Sequence, residues 1–203
     1  MITRTTALTA AMALASAAHA QVLISGVSAT TNMGSGFGTT LDNTVNGTGL
    51  AGGVPSLNDL HGGTTPANSW VADMMTTGAV TFDLGGLYEV NGFSFWNQNG
   101  GGPGGMGSTG IDGVAIQSST DGVNFTALPG APAAFAMVPG IDAPPEIFSF
   151  AAVTASHIRF NIRSNHGDPG QAGFAEVHFS QVPAPGAIAL LGLAALGHRR
   201  RAR

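Results

Sequence analysis

Two clusters of aromatic and polar side chains lie where predicted strands end. The first comprises Trp96, Asn97 and Asn99, beside a glycine-rich segment. The second comprises Arg163, Asn165, His166 and Asp168. An exposed aromatic ring stacks on the apolar face of a sugar, and amide, guanidinium and imidazole groups supply directional hydrogen bonds. The clusters therefore predict contacts with a carbohydrate. The alternative is that Trp96 packs at the rim of the core and that residues 166–169 form an ordinary turn.

Other chemistries lack the residues that they need. The histidines of the predicted domain show no recognisable zinc-ligand spacing: His61, His157, His166 and His178. The chain has no cysteine and no Gly-x-Ser-x-Gly elbow, and residues 34–38 lack the strand–helix context of a dinucleotide loop. Eleven scattered carboxylates always contain some pair, so a hydrolytic pair is not assignable without geometry. The residues favour a non-catalytic protein, and a secreted hydrolase is the weaker alternative.

The charge distribution argues against a nucleic-acid partner. The chain has no lysine, and of its seven arginines only Arg159 and Arg163 lie between residues 21 and 181. All eleven carboxylates lie in that range, so its net charge is near −9. Such a surface repels phosphate backbones. It suits cations and neutral sugars, although a soluble acidic protein without either ligand would have the same charge.

Short apolar runs with period-two alternation predict an all-β domain. Val80, Phe82 and Leu84, for example, alternate with Thr81 and Asp83. The eight candidate strands cover residues 22–27, 79–84, 88–97, 113–119, 123–128, 146–153, 157–163 and 173–181. Asp-Gly at 121–122 favours a hairpin turn between two of them, because glycine readily takes a positive φ. Eight short antiparallel strands in one domain, residues 21–181, predict a jelly-roll sandwich.

The first twenty residues have the pattern of a secretory signal peptide. Arg4 supplies a positive charge, residues 7–18 form a small-residue apolar run, and Ala18-His19-Ala20 matches an Ala-x-Ala cleavage site. Residues 1–20 are therefore predicted to be removed on export. The absence of cysteine means that no disulfide stabilises the exported domain.

The last segment, residues 182–203, resembles a PEP-CTERM sorting signal, which is processed by an exosortase-type enzyme. The motif positions are Pro183, Ala184 and Pro185, followed by an apolar run and a basic end at Arg199, Arg200 and Arg201. An apolar helix of about 12 residues rises roughly 18 Å, whereas the bilayer hydrocarbon is roughly 30 Å thick. The expected apolar sorting helix would therefore contact the inner membrane only transiently, with its arginines on the cytoplasmic side.

Several segments between the two ends resemble, in their order, discoidin-like domains (coagulation factor 5/8 type C, galactose-binding-like). The matching segments are Asn58-Asp59 with Ser69-Trp70, and residues 81–85, 88–95, 117–125, 156–160 and 173–179. The resemblance implies an eight-stranded galactose-binding-like jelly roll that binds a ligand rather than transforming it. Bacterial members bind sugars through loops at one end.

The resemblance also implies a structural calcium ion. Asp59 and Glu176 would provide carboxylates, and the oxygen shell would be completed near His61, Gly62 and Thr64. Calcium takes six to eight hard oxygen ligands and accepts backbone carbonyls. The alternative is that Glu176 pairs with Arg159 or caps the loop.

The signals and the domain together predict an exported protein of the cell surface or extracellular matrix. Carbohydrate or exopolysaccharide is its expected partner. The alternative is a structural matrix or biofilm component without a discrete ligand.

Overall fold

The computed structural model describes residues 21–100, 107–138, 140 and 142–183. The predicted signal peptide lies outside these residues, as does the sorting segment from Ala184 onwards. The described chain is almost entirely β structure, with one short 3-10 turn at Leu41–Thr44. No helix in the described part is long and apolar enough to cross a membrane.

Eight antiparallel strands form one curled sheet, as the alternation predicted. Their bounds are β1 Val22–Leu23, β2 Ser28–Thr31, β3 Trp70–Val71, β4 Gly78–Asn97, β5 Val114–Ser119, β6 Thr126–Ala127, β7 Glu146–Ile162 and β8 Gly173–Gln181. The order across the sheet is β1-β8-β4-β7-β5-β6, with β2 added to β4 and β3 added to β8. The strand count agrees with the prediction, but the strands are not the same eight.

Two pairs of predicted strands are each one long strand. Residues 79–84 and 88–97 both belong to β4, which has 20 residues, and residues 146–153 and 157–163 fall almost wholly within β7, which has 17. The β4–β7 ladder continues across an irregularity between Asp83 and Tyr88, where Gly85 has a φ of 76°. The sequence predicted two strands separated at residues 85–87, whereas the chain has an irregularity there and pairs with β7 on both sides of it.

The core consists largely of phenylalanine rings from both halves of the ladder. Phe82 lies 5.2 Å from Phe160 and Phe93 lies 5.4 Å from Phe160, measured between ring centroids. Phe95 stacks on Phe135 at 3.8 Å. These rings are at most 2% exposed, so each buries a large apolar area at roughly 25 cal/mol per Å². In a chain without disulfides this packing is the main source of stability.

The Asp121 carboxylate organises the predicted hairpin turn between β5 and β6. One carboxylate oxygen accepts from the backbone N–H groups of Val123 (2.9 Å) and Asn124 (2.8 Å), and from the Ser119 hydroxyl. The other accepts from the Asn124 side-chain amide at 2.7 Å. These hydrogen bonds, led by those from Asn124, hold the pKa of Asp121 well below its ordinary value.

We expect Asp121→Asn to lower the melting temperature at neutral pH, because the amide accepts fewer of these hydrogen bonds. A depressed folded-state pKa gives stability that is present above the unfolded value of 3.8 and is lost as the pH falls below it. The difference between wild type and variant should therefore be constant above about pH 5 and shrink below about pH 4. Thermal melts between pH 2.5 and 8 measure it. A difference that grows toward acid pH would contradict this assignment.

Candidate functional site

The long connection between β2 and β3, residues 32–69, covers the outer face of β4 and β8. It buries residues that were predicted to be exposed. Trp96 is only 2% exposed. Its indole N–H donates to the Asp59 carbonyl at 3.0 Å, and its ring meets the His178 ring edge-on at 5.5 Å. The Ser94 hydroxyl anchors the same loop by donating to the Leu57 carbonyl at 2.7 Å. Trp96 therefore packs under the loop, as in the alternative interpretation, and offers no open ring for stacking.

Asn97 and Asn99 are also buried, and their amides hold the loops together. Asn97 donates to the Ile111 carbonyl at 2.7 Å and accepts from the Ile111 N–H at 2.8 Å. Asn99 accepts from the Thr64 N–H at 2.8 Å and donates to the Gly62 carbonyl at 2.9 Å. Both amides use a donor and an acceptor internally, so their observed role is to fix the connections around the strand ends.

The second predicted cluster forms a loop at the end of β7. Asn165 donates to the carbonyls of Asp168 and Gln171, and Asp168 accepts from the N–H groups of Gly170 and Gln171 at 2.9 Å. His166 is half-buried, and its Nε2 is buried without a hydrogen-bond partner. Arg163 is exposed at the start of the loop. Asn165 and Asp168 thus shape a turn, while Arg163 is the member of this cluster that is exposed at the surface.

Glu176 is fully buried on the outer face of β8. Its Oε2 lies 2.5 Å from His178 Nε2. Burial raises the pKa of the Glu176 carboxyl above its ordinary value, and the hydrogen bond with His178 opposes this shift. Pairing with Arg159, one of the alternatives for Glu176, does not occur, because the Arg159 guanidinium lies over the Phe125 ring at 3.6 Å.

Part of the predicted calcium set fits an oxygen-liganded cation. Thr64 Oγ1 and Glu176 Oε1 are both buried and have no hydrogen-bond partner, and both are hard oxygen atoms of the kind that calcium binds. His61 and Gly62 are already engaged with each other, since the His61 Nδ1 lies 2.6 Å from the Gly62 carbonyl oxygen. Asp59 is half-exposed, with its carboxylate facing Gly52. Among the described residues no three histidine or acidic side chains converge as metal ligands.

An exposed apolar pair at the loop end of the sheet was missed by the sequence reasoning. Phe37 is 62% exposed and Met74 is 72% exposed. Both are non-glycine residues with a φ of 53°, a conformation that bulky side chains rarely adopt. Strained backbone of this kind clusters at ligand-binding positions. The only sequence signal was an aromatic residue flanked by glycines within residues 34–38.

Phe37 and Met74 lie on two of three adjoining loops, and the third loop carries the second predicted cluster. We call these three loops, residues 33–39, 72–77 and 163–172, the loop edge. The Asp73 N–H donates to the Met33 carbonyl at 2.9 Å, which ties the first loop to the second. The N–H of Ala172 donates to the Met75 carbonyl at 2.9 Å, which ties the second to the third. The loop edge therefore presents the open Phe37 ring and the Met74 thioether, and Arg163 lies exposed at the start of its third loop.

Comparison with solved structures identifies the fold. No protein-family model and no curated protein matches the sequence. The family 32 carbohydrate-binding module of C. perfringens NanJ, solved with galactose, gives a TM-score of 0.51 at 14% identity over 80% of this chain and 100% of that chain. The lectin domain of lectinolysin, solved with Lewis B antigen, gives 0.52 at 14% identity over 76% and 92%. Truncated AlyQ, with CBM32 and alginate lyase domains, gives 0.54 at 20% identity over 81% and 34%.

These likenesses show that the chain has the curled antiparallel fold of discoidin-like, family 32 carbohydrate-binding modules. The two matches that cover 92% and 100% of the compared chain are to binding domains. Identities of 20% or less establish the fold alone. The ligand has to be argued from the residues of this chain.

Proposed function

We propose that this chain is a non-catalytic module that binds carbohydrate through the loop edge. The observation that supports the proposal best is the Phe37 ring, 62% exposed and held in a strained conformation on a loop. An exposed ring of this kind packs on the apolar face of a pyranose, while adjoining polar groups bind its hydroxyls. Arg163 is the exposed polar group of the same loop edge with which a sugar would form hydrogen bonds.

A binding role suits the chemistry of the described residues better than a hydrolytic one. Glu146 and Glu176 are the two carboxyls whose pKa is raised, in both cases chiefly by burial. Glu176 is enclosed on the outer face of β8, and Glu146 is occupied by the Ala136 N–H at 2.9 Å. No observed contact joins them into an acid–base pair across a cleft.

Phe37→Ala should lower affinity for a bound glycan by roughly tenfold, which corresponds to about 1.4 kcal/mol. The physical reason is loss of ring stacking from an exposed position, which should leave the melting temperature within about 2 °C of wild type. A glycan array with the purified protein first identifies the ligand, and isothermal titration calorimetry then compares the variants.

Trp96→Ala is the matched control, because Trp96 is a buried aromatic residue that stabilises the fold. Removing this buried ring should cost about 3–5 kcal/mol of folding stability. The proposed site would be wrong if Phe37→Ala bound like wild type while Trp96→Phe, which keeps most of the packing, abolished binding. Failure of the folded wild type to retain any glycan or self-produced polymer would instead favour a structural matrix component without a discrete ligand.

We further propose that a structural calcium ion is held by the Thr64 hydroxyl and the Glu176 carboxylate, with backbone carbonyls completing the shell. Support comes from the two buried oxygens that lack partners, Thr64 Oγ1 and Glu176 Oε1. The ion would supply a positive charge beside a carboxylate that burial otherwise disfavours.

Calcium at a hundredfold excess over its dissociation constant should stabilise the fold by about 2.7 kcal/mol, a rise of about 5–10 °C in melting temperature that a chelator reverses. The Thr64→Val, Glu176→Gln double variant should not respond. Asp59→Asn should still respond, because the Asp59 carboxylate faces Gly52. Differential scanning calorimetry measures all three. A wild-type melt that is unchanged by both calcium and chelator would remove the ion from the proposal.

The place of action is proposed to be the cell surface or the extracellular matrix. The support is the pattern of residues 1–20 and the PEP-CTERM-like segment 182–203, which together imply export and exosortase-type processing. Mass spectrometry of the protein from surface and medium fractions should find Gln21 as its first residue and a C-terminus before the basic end. Recovery of the intact chain from Met1 to Arg203 in the medium would contradict both signals.

A further inference from the structure

A shallow trough crosses the outer face of β2, β4 and β7, and none of its lining residues belongs to the loop edge. It consists of two depressions of about 360 and 300 Å³ that share Thr30, Thr81 and Arg159 in their lining. The strand register explains why these residues adjoin, since Thr30 pairs with Thr81 and Thr81 pairs with Arg159. Three neighbouring strands thus place two hydroxyls and a guanidinium side by side on one face.

Arg159 is held in place by groups that leave its charge unpaired. Its guanidinium carbon lies 3.6 Å above the centroid of the Phe125 ring, and its Nε donates to the Thr81 hydroxyl at 3.0 Å. Within the described part of the chain no carboxylate forms an ion pair with it. Stacking and the Nε contact restrict the side chain, which lowers the entropy cost of binding a ligand through the terminal nitrogens.

The unpaired Arg159 guanidinium lies in a strongly acidic domain. Arg159 and Arg163 are the two arginines between residues 21 and 181, where all eleven carboxylates lie. A solvated arginine in such a domain would readily find a carboxylate partner, yet the groups that the Arg159 guanidinium contacts are the Thr81 hydroxyl and the Phe125 ring. A planar guanidinium of this kind binds carboxylate or sulfate groups through two parallel hydrogen bonds.

The two halves of the trough differ in charge. The half lined by Thr31, Asn32 and Ala79 contains no carboxylate. The other half contains Asp83, with His157 Nε2 at 3.8 Å from its Oδ2, and Ser28. An anionic group is therefore favoured beside Arg159 and disfavoured beside Asp83, where ligand hydroxyls would find an acceptor. Apart from Ala79 and Gly122 the lining residues are polar, which suits a sugar chain better than a peptide with apolar side chains.

We infer that this trough is a second binding site, for an acidic polysaccharide whose carboxylate or sulfate group is bound by Arg159. The site goes beyond the proposed loop-edge function, because it uses a different face and a charged ligand group. A module with both sites would hold neutral sugars at the loop edge and the charged groups of a matrix polymer on its sheet.

Affinity electrophoresis tests this with the full chain in gels that contain polygalacturonate, a sulfated galactan or a neutral galactan. Wild type should be retarded by at least one of the two anionic polymers in 200 mM NaCl, where salt screens the long-range repulsion between the polymer and the domain's net charge near −9. Arg159→Gln should weaken that binding at least tenfold, and Arg159→Lys should weaken it less. Comparison of the two anionic gels shows whether carboxylate or sulfate is preferred.

Arg163→Gln removes the same net charge at the loop edge instead of in the trough, so it separates the Arg159 contact from general charge attraction. Equal losses in Arg159→Gln and Arg163→Gln would show general charge attraction and overturn the inference, as would wild type that neither anionic polymer retards. Phe125→Leu provides a second variant if Arg159→Gln fails to fold, and it should weaken binding by freeing the guanidinium. Phe37→Ala should leave the anionic interaction unchanged, so the two sites can fail independently.

Discussion

The antiparallel ladder between β4 and β7 is the constraint on which the rest of the structure depends. Because the pairing of β4 with β7 resumes after the irregularity near Gly85, a single pair of strands surrounds the phenylalanine core. The irregularity also brings the two ends of β4 to the same end of the fold. Gly78 pairs with Ile162 just before the loop edge, while Asn97 at the other end binds Ile111, which bridges to Asn165 in that edge. The candidate carbohydrate site is therefore built on strand ends that the ladder positions.

The loop of residues 32–69 forms a second layer on the outer face of β4 and β8. Glu176 and His178 alternate with core residues and would face solvent on a bare sheet, but this loop buries both side chains. Burying a carboxylate is costly unless it is compensated, and at Glu176 the compensation comes from His178 and the Gly47 backbone N–H.

The sequence reasoning succeeded where a side chain's environment follows from its own strand. Val80, Phe82 and Leu84 are in the core, as their alternation predicted, and Asp121 forms the predicted turn. It failed for Trp96, because alternation assigns a residue to a face without revealing what covers that face. It missed Phe37, because an exposed ring on a glycine-rich loop differs from a buried one only through the packing of neighbouring loops.

The sequence by itself determined an all-β domain with antiparallel strands, its hairpin and its acidic charge, because these depend on local periodicity, turn chemistry and composition. The tertiary structure alone decided which polar residues are buried and which aromatic ring is open. It also showed that β4 and β7 are continuous and that Arg159 contacts a hydroxyl and an aromatic ring without forming an ion pair within the described residues. Those features depend on contacts between residues far apart in the chain, and the pattern of a single segment does not identify its distant partners.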